Sequence, residues 1–449
     1  MRRMNTQRQG LLVSLENENT NTDSGTASEN DVEVAEAGAE LSDDVAEIVD
    51  SVAEGDADTA EVEEATEVAE ALESIAEAVG VCAQNGGLDR HAAHAIGLAV
   101  GHMYNRVGLE AQAMPALESF GSSSQRIPST SLAMEDIKEQ AGKIWNHIVE
   151  AVKRAIKWAQ DFYNKLFGAA EKLSKRASAL QTKAEGITGG KAKEASFENE
   201  KLVKALHVNG KVPTALGAAL GKVGAIGRDC FGEASDWALK VGSEITADME
   251  KEGAEKTFLE SFELPAGGLI GAEVSNAEGA GFAAPADGLV IYRSEEMPGG
   301  MAVAGAGTKN GMKGEAAVDA FRGVGQKVQP FDPKAKAPAD KKVTTLTTRD
   351  MVETCKAVAT LAEEIKKFRD GQAKLNEMKK KFQSASEKLA KKASSGDEGR
   401  DGLRAMAKVA GKLPSLVDNP AASFSAYAIN TCKAALDYVD ASTKQYASA

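Results

Sequence analysis

Apolar residues recur with a helical period over much of this chain. The clearest run begins at Asp136, where DIKEQAGKIWNHIVEAVKRAIKWAQDFYNKLF sets Trp145, Ile148, Val149, Val152, Ile156, Ala159, Phe162, Tyr163 and Leu166 at i, i+3, i+4, i+7 spacing. The stripe continues through Phe167, Leu173 and Leu180, which predicts one long amphipathic helix. A second stripe, Met351, Val358, Leu361, Ile365, Phe368, Leu375, Met378, Phe382 and Leu389, predicts helix from Thr347 to about Ser394. Helix over Asp397 to Lys412 follows a Ser-Ser-Gly break, and a last helix over Ala421 to Tyr446 buries Phe424, Tyr427, Ile429, Leu436 and Tyr438. A weaker pattern (Val45, Ile48, Val49, Val52, Val62, Ala65, Val68, Leu72, Ile75) marks an acidic amphipathic helix, marginal when alone.

Between these blocks the texture changes. Residues 190–260 read as two shorter helices joined through the Asn-Gly turn of HVNGKV (207–212). Residues 262–330 carry short β-branched runs separated by Gly and Pro, as in GLVIYRSEEMPGGMAVAGAG, which predicts a few strands. The fold class is therefore mainly α: a disordered acidic leader, then an elongated helical-bundle body with a small Gly-rich, β-containing middle. Six segments follow. Residues 1–80 form the leader, disordered to about residue 40 and marginally helical beyond. Residues 81–110 form a small helical segment and 111–135 a linker with Pro115, Gly121, a Ser triplet and Pro128. Residues 136–260 are the basic amphipathic region, 261–342 the Gly/Pro-rich middle and 343–449 the C-terminal helical region.

Charge sharpens this division. The chain of 449 residues has a net charge of −14, yet residues 1–135 hold 26 acidic and 6 basic side chains, a net of −20, so the other 314 residues carry +6. Residues 16–79 contain no Lys or Arg at all. Dense like charge and little apolar surface predict disorder at the start of the leader. The long helix from Asp136 has the opposite sign: Lys143, Lys153, Arg154, Lys157, Lys165, Lys172, Lys175 and Arg176 line its polar face. Such a face fits a solvated bundle seam, a nonspecific nucleic-acid track, or an anionic membrane surface contacted through Trp145 and Trp158. Further on, Lys366 to Lys392 carries 10 basic against 3 acidic residues.

Several chemistries find no residues to carry them. MRRMNTQRQGLLVSLEN has too short an apolar run for a signal peptide, and no run approaches the roughly 18 apolar residues of a membrane span. Together with four unpatterned cysteines, this reads as an unexported protein in a reducing compartment. His91 and His94 share a helical face, but no third metal ligand follows at the right spacing. No GxxxxGK[ST] or strand–GxGxxG–helix unit occurs among the glycines, and neither His147 nor His207 stands beside a nucleophile. The residues point to a structural or interaction protein, with no catalytic residue, cofactor or metal to assign.

The acidic leader, the linker LESFGSSSQRIPSTSLAMED and the Trp- and Lys-rich helix IKEQAGKIWNHIVEAVKRAIKWAQDFYNKLF together resemble the internal head proteins of giant phiKZ-like bacteriophages. The ending SFSAYAINTCKAALDYVDASTKQYASA is similar to their C-terminal helix, while the middle matches in texture alone. The resemblance implies a propeptide removed by the phage prohead protease, which cuts after the Glu of a small residue–any residue–Glu triplet. Two linker triplets fit: Ala116-Leu117-Glu118 and Ala133-Met134-Glu135. Ser14-Leu15-Glu16, Ala71-Leu72-Glu73 and Ser196-Phe197-Glu198 fit as well, so position in the linker selects the first two. It further implies assembly in the host cytoplasm and residence inside the virion head. The implied partners are the protease, other capsid core proteins and packaged DNA contacted nonspecifically, with no stable membrane insertion. The alternative is a membrane-surface or partner-binding amphipathic helical protein.

Overall fold

The structure, a computed structural model, describes residues 29–110, 114–187, 191–248, 254–266, 271–336, 338–367 and 400–446. Two long helices dominate it: α1 (Glu29–Gln84) and α3 (Arg126–Glu185). They run antiparallel, since Glu73 of α1 meets Trp145, Ser51 meets Trp158 and Asp44 meets Lys172 as the chain advances along α3. The connection holds α2 (Arg90–Arg106) and one 3-10 turn (Leu117–Phe120). Asp89 caps α2 by accepting the Ala92 N–H at 2.8 Å, which satisfies one of the free donors of the first turn. That bond also holds the Asp89 carboxyl below its ordinary value.

Two differences from the sequence-based expectation stand out here. The acidic segment is helical from Glu29 on, because it does not fold alone: the apolar stripe that is marginal in isolation is buried against α3. Helix α3 also starts at Arg126, inside the segment expected to be an exposed linker. Pro128 permits this, since a proline in the first turn removes an N–H that has no intrahelical acceptor anyway.

The body continues with β1 (Ser196–Glu198), α4 (Glu200–Leu206) and α5 (Leu216–Asp248). Between α4 and α5 lies the Asn-Gly turn, with Asn209 at φ 51° and Gly210 at φ 74°. Next come α6 (Ala254–Ser261), β2 (Glu263–Leu264), β3 (Ala272–Glu273), β4 (Leu289–Arg293), β5 (Met301–Thr308), β6 (Met312–Lys313), α7 (Gly314–Phe321), β7 (Gly325–Pro330) and β8 (Lys342–Thr344). The predicted strands of the middle form an antiparallel sheet ordered β3-β4-β5-β7, with Ile291 opposite Ala306 and Val303 opposite Val328. Gly305 lets β5 and β7 close, since a Cβ there would lie 1.9 Å from the Gly325 carbonyl oxygen. Strands β1 and β8 pair separately, as do β2 and β6.

Residues 348–367 form helix α8, and α9 (Arg400–Thr443) closes the chain. The two C-terminal helices expected on either side of residues 413–420 are thus one. The basic run from 368 onward lies outside the described residues. The main core joins Leu41, Val45 and Ile48 of α1 with Phe162 and Leu166 of α3, Val358 of α8 and Phe424, Leu436 and Tyr438 of α9. A second core joins Val62, Val68, Leu72 and Val79 of α1 with Tyr104 of α2, Phe120, and Ile137, Ile144 and Trp145 of α3. Both therefore depend on α1.

Candidate functional site

The region that sequence analysis singles out has two parts, the polar face of α3 and the connection from α2 to α3. On α3 the eight predicted cations do not form one open surface. Arg154 reaches Glu61 at 2.6 Å and Asp58 at 3.9 Å, Lys165 reaches Glu47 at 3.4 Å, and Lys172 reaches Asp44 at 2.9 Å and Glu40 at 3.5 Å. All these acids are on α1, and the hydrogen bond to Asp44 raises the Lys172 ammonium above the usual lysine value. Lys143, Lys153 and Lys175 pair within α3, with Glu139, Glu150 and Glu171. Lys157 is exposed. Arg176 is buried, 2.8 Å from Asp437 of α9, and is a structural cation rather than part of an open face.

Cations from elsewhere in the body also converge on α1. Arg322, just after α7, reaches Glu70 at 2.5 Å, and Lys412 of α9 reaches Glu63 at 3.4 Å while it donates to the Arg322 carbonyl. Burial lowers the Lys412 pKa, and the Glu63 carboxylate offsets this only in part. From its own side of the connection, α2 places Arg106 at 3.2 Å from both Glu64 and Glu67.

Beneath this rim the seam is apolar. The indole N–H of Trp145 donates to the buried Glu73 carboxylate at 2.9 Å, and that of Trp158 to the Ser51 carbonyl at 2.6 Å. Both tryptophans are buried under α1, so the face that a membrane-surface reading requires is covered. Among the described residues no helix is long and apolar enough to cross a membrane. Burial of each Val, Leu or Ile along the seam contributes about 1.5–3 kcal/mol, whereas an exposed ion pair contributes about 0–1 kcal/mol. Apolar burial therefore holds α1 in place, and the charges fix its register.

The connection is built differently. Residues 111–113 lie outside the described residues. Ala116 is extended, at φ −55° and ψ 131°, and Leu117 begins the 3-10 turn. Ala116 and Glu118 are exposed, and the only ion-pair partner of Glu118 among the described residues is Arg90, at 3.5 Å. Phe120, fully buried, anchors the far end of the turn, and residues 121–125 are exposed. The second triplet differs in kind. Ala133 is fully buried inside α3, Met134 is partly covered, and both carry helical backbone. Asp136, which follows Glu135, is partly buried, and that burial together with Glu139 and Glu135 raises its carboxyl pKa. Leu88 further pins this part of α3 by donating its N–H to the Thr130 hydroxyl at 2.8 Å. At the exposed Glu118 a protease meets a single 3-10 turn that follows the extended Ala116, whereas at Glu135 it must unwind the long helix α3.

Two of the remaining triplets are in the structured part. Ala71-Leu72-Glu73 is helical, with Leu72 fully buried and Glu73 bound to Trp145. Ser196-Phe197-Glu198 is strand β1, paired to β8. Ser14-Leu15-Glu16 lies outside the described residues. Among the described residues no group of three or more His, Cys, Asp or Glu side chains could hold a metal ion. Cys82, Cys355 and Cys432 are free, and burial pushes the thiols of Cys355 and Cys432 up to about 12. What the sequence alone does not reveal is that Trp145, Trp158, Arg322 and Lys412 all engage α1, because their α1 partners are far away along the chain.

No curated protein sequence matches this chain, and no solved structure does. Residues 27–441, nearly the whole chain, match a family described as phiKZ-like phage internal head proteins. The match runs from the acidic helix α1 through the middle sheet to α9, and so includes both the leader and the body it packs against. The chain belongs to the phiKZ-like phage internal head proteins.

Proposed function

We propose that this internal head protein is a non-enzymatic structural component made as a precursor, cut after Glu118 by the phage prohead protease, and kept in the head in contact with packaged DNA and other core proteins. Members of the family reside in the virion interior. The observation that carries the cleavage reading is the contrast between the two linker triplets: Glu118 is exposed on a single short 3-10 turn, and Ala133-Met134-Glu135 is wound into the long helix α3. Charge supports it. Residues 1–118 carry a net −20, as residues 1–135 do, because Arg126 and Glu135 cancel, so either cut leaves +6 on the body.

In the precursor, α1 occupies Arg154, Lys165 and Lys172. Nonspecific contact with phosphates falls to the exposed Lys143, Lys153, Lys157 and Lys175 until α1 departs. Departure of α1 would add the cations it holds and change the sign of the particle-facing protein. Co-expression with the prohead protease tests the cut: Glu118→Ala should abolish it and Glu135→Ala should leave it intact. A reversed pattern would overturn the assignment. If the body is ejected with the genome, it should be recoverable from infected cells before viral translation begins.

A further inference from the structure

Here the geometry separates cutting from release. Helix α1 contributes Leu41, Val45 and Ile48 to one core and Val62, Val68, Leu72 and Val79 to the other, all of them buried. Its receiving groove is made by three parts of the body: α3, the residue after α7, and α9. The floor is apolar and carries two indole N–H donors, satisfied by Glu73 and by the Ser51 carbonyl. The rim is cationic, with Arg154, Lys165, Lys172, Arg322 and Lys412 each facing an α1 carboxylate. At one point the fit is tight enough to exclude any side chain: a Cβ on Gly55 would stand 2.2 Å from Cζ2 of Trp158.

We infer that this groove is an acceptor site for an acidic amphipathic helix with a side-chain-free crossing point, and that it keeps α1 seated as a noncovalent subunit after the chain is cut between α2 and α3. Apolar floor and cationic rim together define the occupant. Duplex DNA satisfies the rim but leaves the floor bare, and an apolar helix satisfies the floor but leaves five cations without their acids. The chain's own residues 29–84 satisfy both. The inference rests on the cut of the proposed function only for its place in maturation. It gives that maturation a second step: α1 leaves only when it is unwound or cut again. The triplet Ala71-Leu72-Glu73, with Leu72 in the core and Glu73 held by Trp145, is out of a protease's reach while α1 is seated.

The test uses the full chain with the recognition sequence of an unrelated site-specific protease inserted into the exposed 121–125 turn, so that it stands whether or not the phage enzyme cuts after Glu118. After complete cutting under native conditions, size-exclusion chromatography with mass detection is run at low salt and in 1 M NaCl. The expected result is a single species of the uncut mass at both salts, which separates into two fragments only in denaturant. Gly55→Val in the cut chain should raise the fraction of free leader at least tenfold. Spontaneous separation at low salt would overturn the inference. Release by salt alone would overturn the apolar floor as the holding element, and failure of the protease to cut the folded chain would contradict the open turn on which the two-step order depends.

Discussion

Gly55 of α1 lies directly against the indole of Trp158 on α3, and a Cβ built there would come within 2.2 Å of the ring. A glycine inside a 56-residue helix costs about 1 kcal/mol relative to alanine, and the closeness of the indole is the reason the position carries it. Introducing a side chain forces a buried ring to move. We expect Gly55→Val to destabilise the chain by about 1–3 kcal/mol, the usual range for overpacking. Trp158→Phe forfeits the bond to the Ser51 carbonyl but opens room. The double substitution should therefore cost less than the sum of the two, with a coupling of about 0.5–3 kcal/mol in urea unfolding.

The relative weight of charge and burial in the seam is separately measurable. Lys165→Ala and Lys172→Ala remove exposed or half-exposed pairs to α1 and should each cost no more than about 1 kcal/mol. Leu72→Ala, in the core of the same seam, should cost about 2–5 kcal/mol. Repeating the unfolding in 1 M NaCl should shrink the lysine effects and leave that of Leu72 unchanged. Equal effects of the two kinds would mean that electrostatics holds α1.

Acid should act on the junction of α4 and β8. Glu200 pairs with Lys204 at 2.8 Å and with Lys341 at 2.6 Å. Hydrogen bonds from Lys204 and Lys341 lower its carboxyl from the ordinary 4.5 to about 2. Because the folded value lies below the unfolded one, the stabilisation is complete above 4.5 and is lost as pH falls towards 2. The stability difference between the native chain and Glu200→Gln should be constant at neutral pH and vanish by about pH 2, followed by urea unfolding across that range.

Nonspecific DNA binding should follow the exposed lysines of α3. Each phosphate contact adds about 0.9 to the slope of log K against log salt. Lys153→Ala combined with Lys157→Ala should then flatten that slope by about 2 in a duplex titration and weaken binding alike for every sequence. An unchanged slope would place the contact elsewhere on the body.

The helix α3 was legible because its stripe from Trp145 to Leu180 is strict and its polar face uniformly basic. The charge division and the Asn209-Gly210 turn were legible for equally local reasons. Helix α1 was legible in part: its Val and Ala stripe marks an amphipathic helix from Val45 on, but its start at Glu29 depends on packing, and its polar partners on α3 and α9 lie as far as 72 positions away (Glu73 to Trp145) and 349 (Glu63 to Lys412). Its pairing with Arg322 and Lys412 has no local signature. The start of α3 was hidden by Ser and Pro residues that usually mark loops, here absorbed because Pro128 stands in the first turn. That single shift separates the two candidate triplets, leaving one on a short turn and winding the other into a helix.

The most direct test is the N-terminus of this protein as recovered from purified phage particles, read by mass spectrometry. A chain that begins at Ser119 is the predicted result, and it would establish both residence in the particle and use of the exposed Ala116-Leu117-Glu118 turn. A chain that begins at Asp136, or one that still runs through Glu118 uncut, would contradict it.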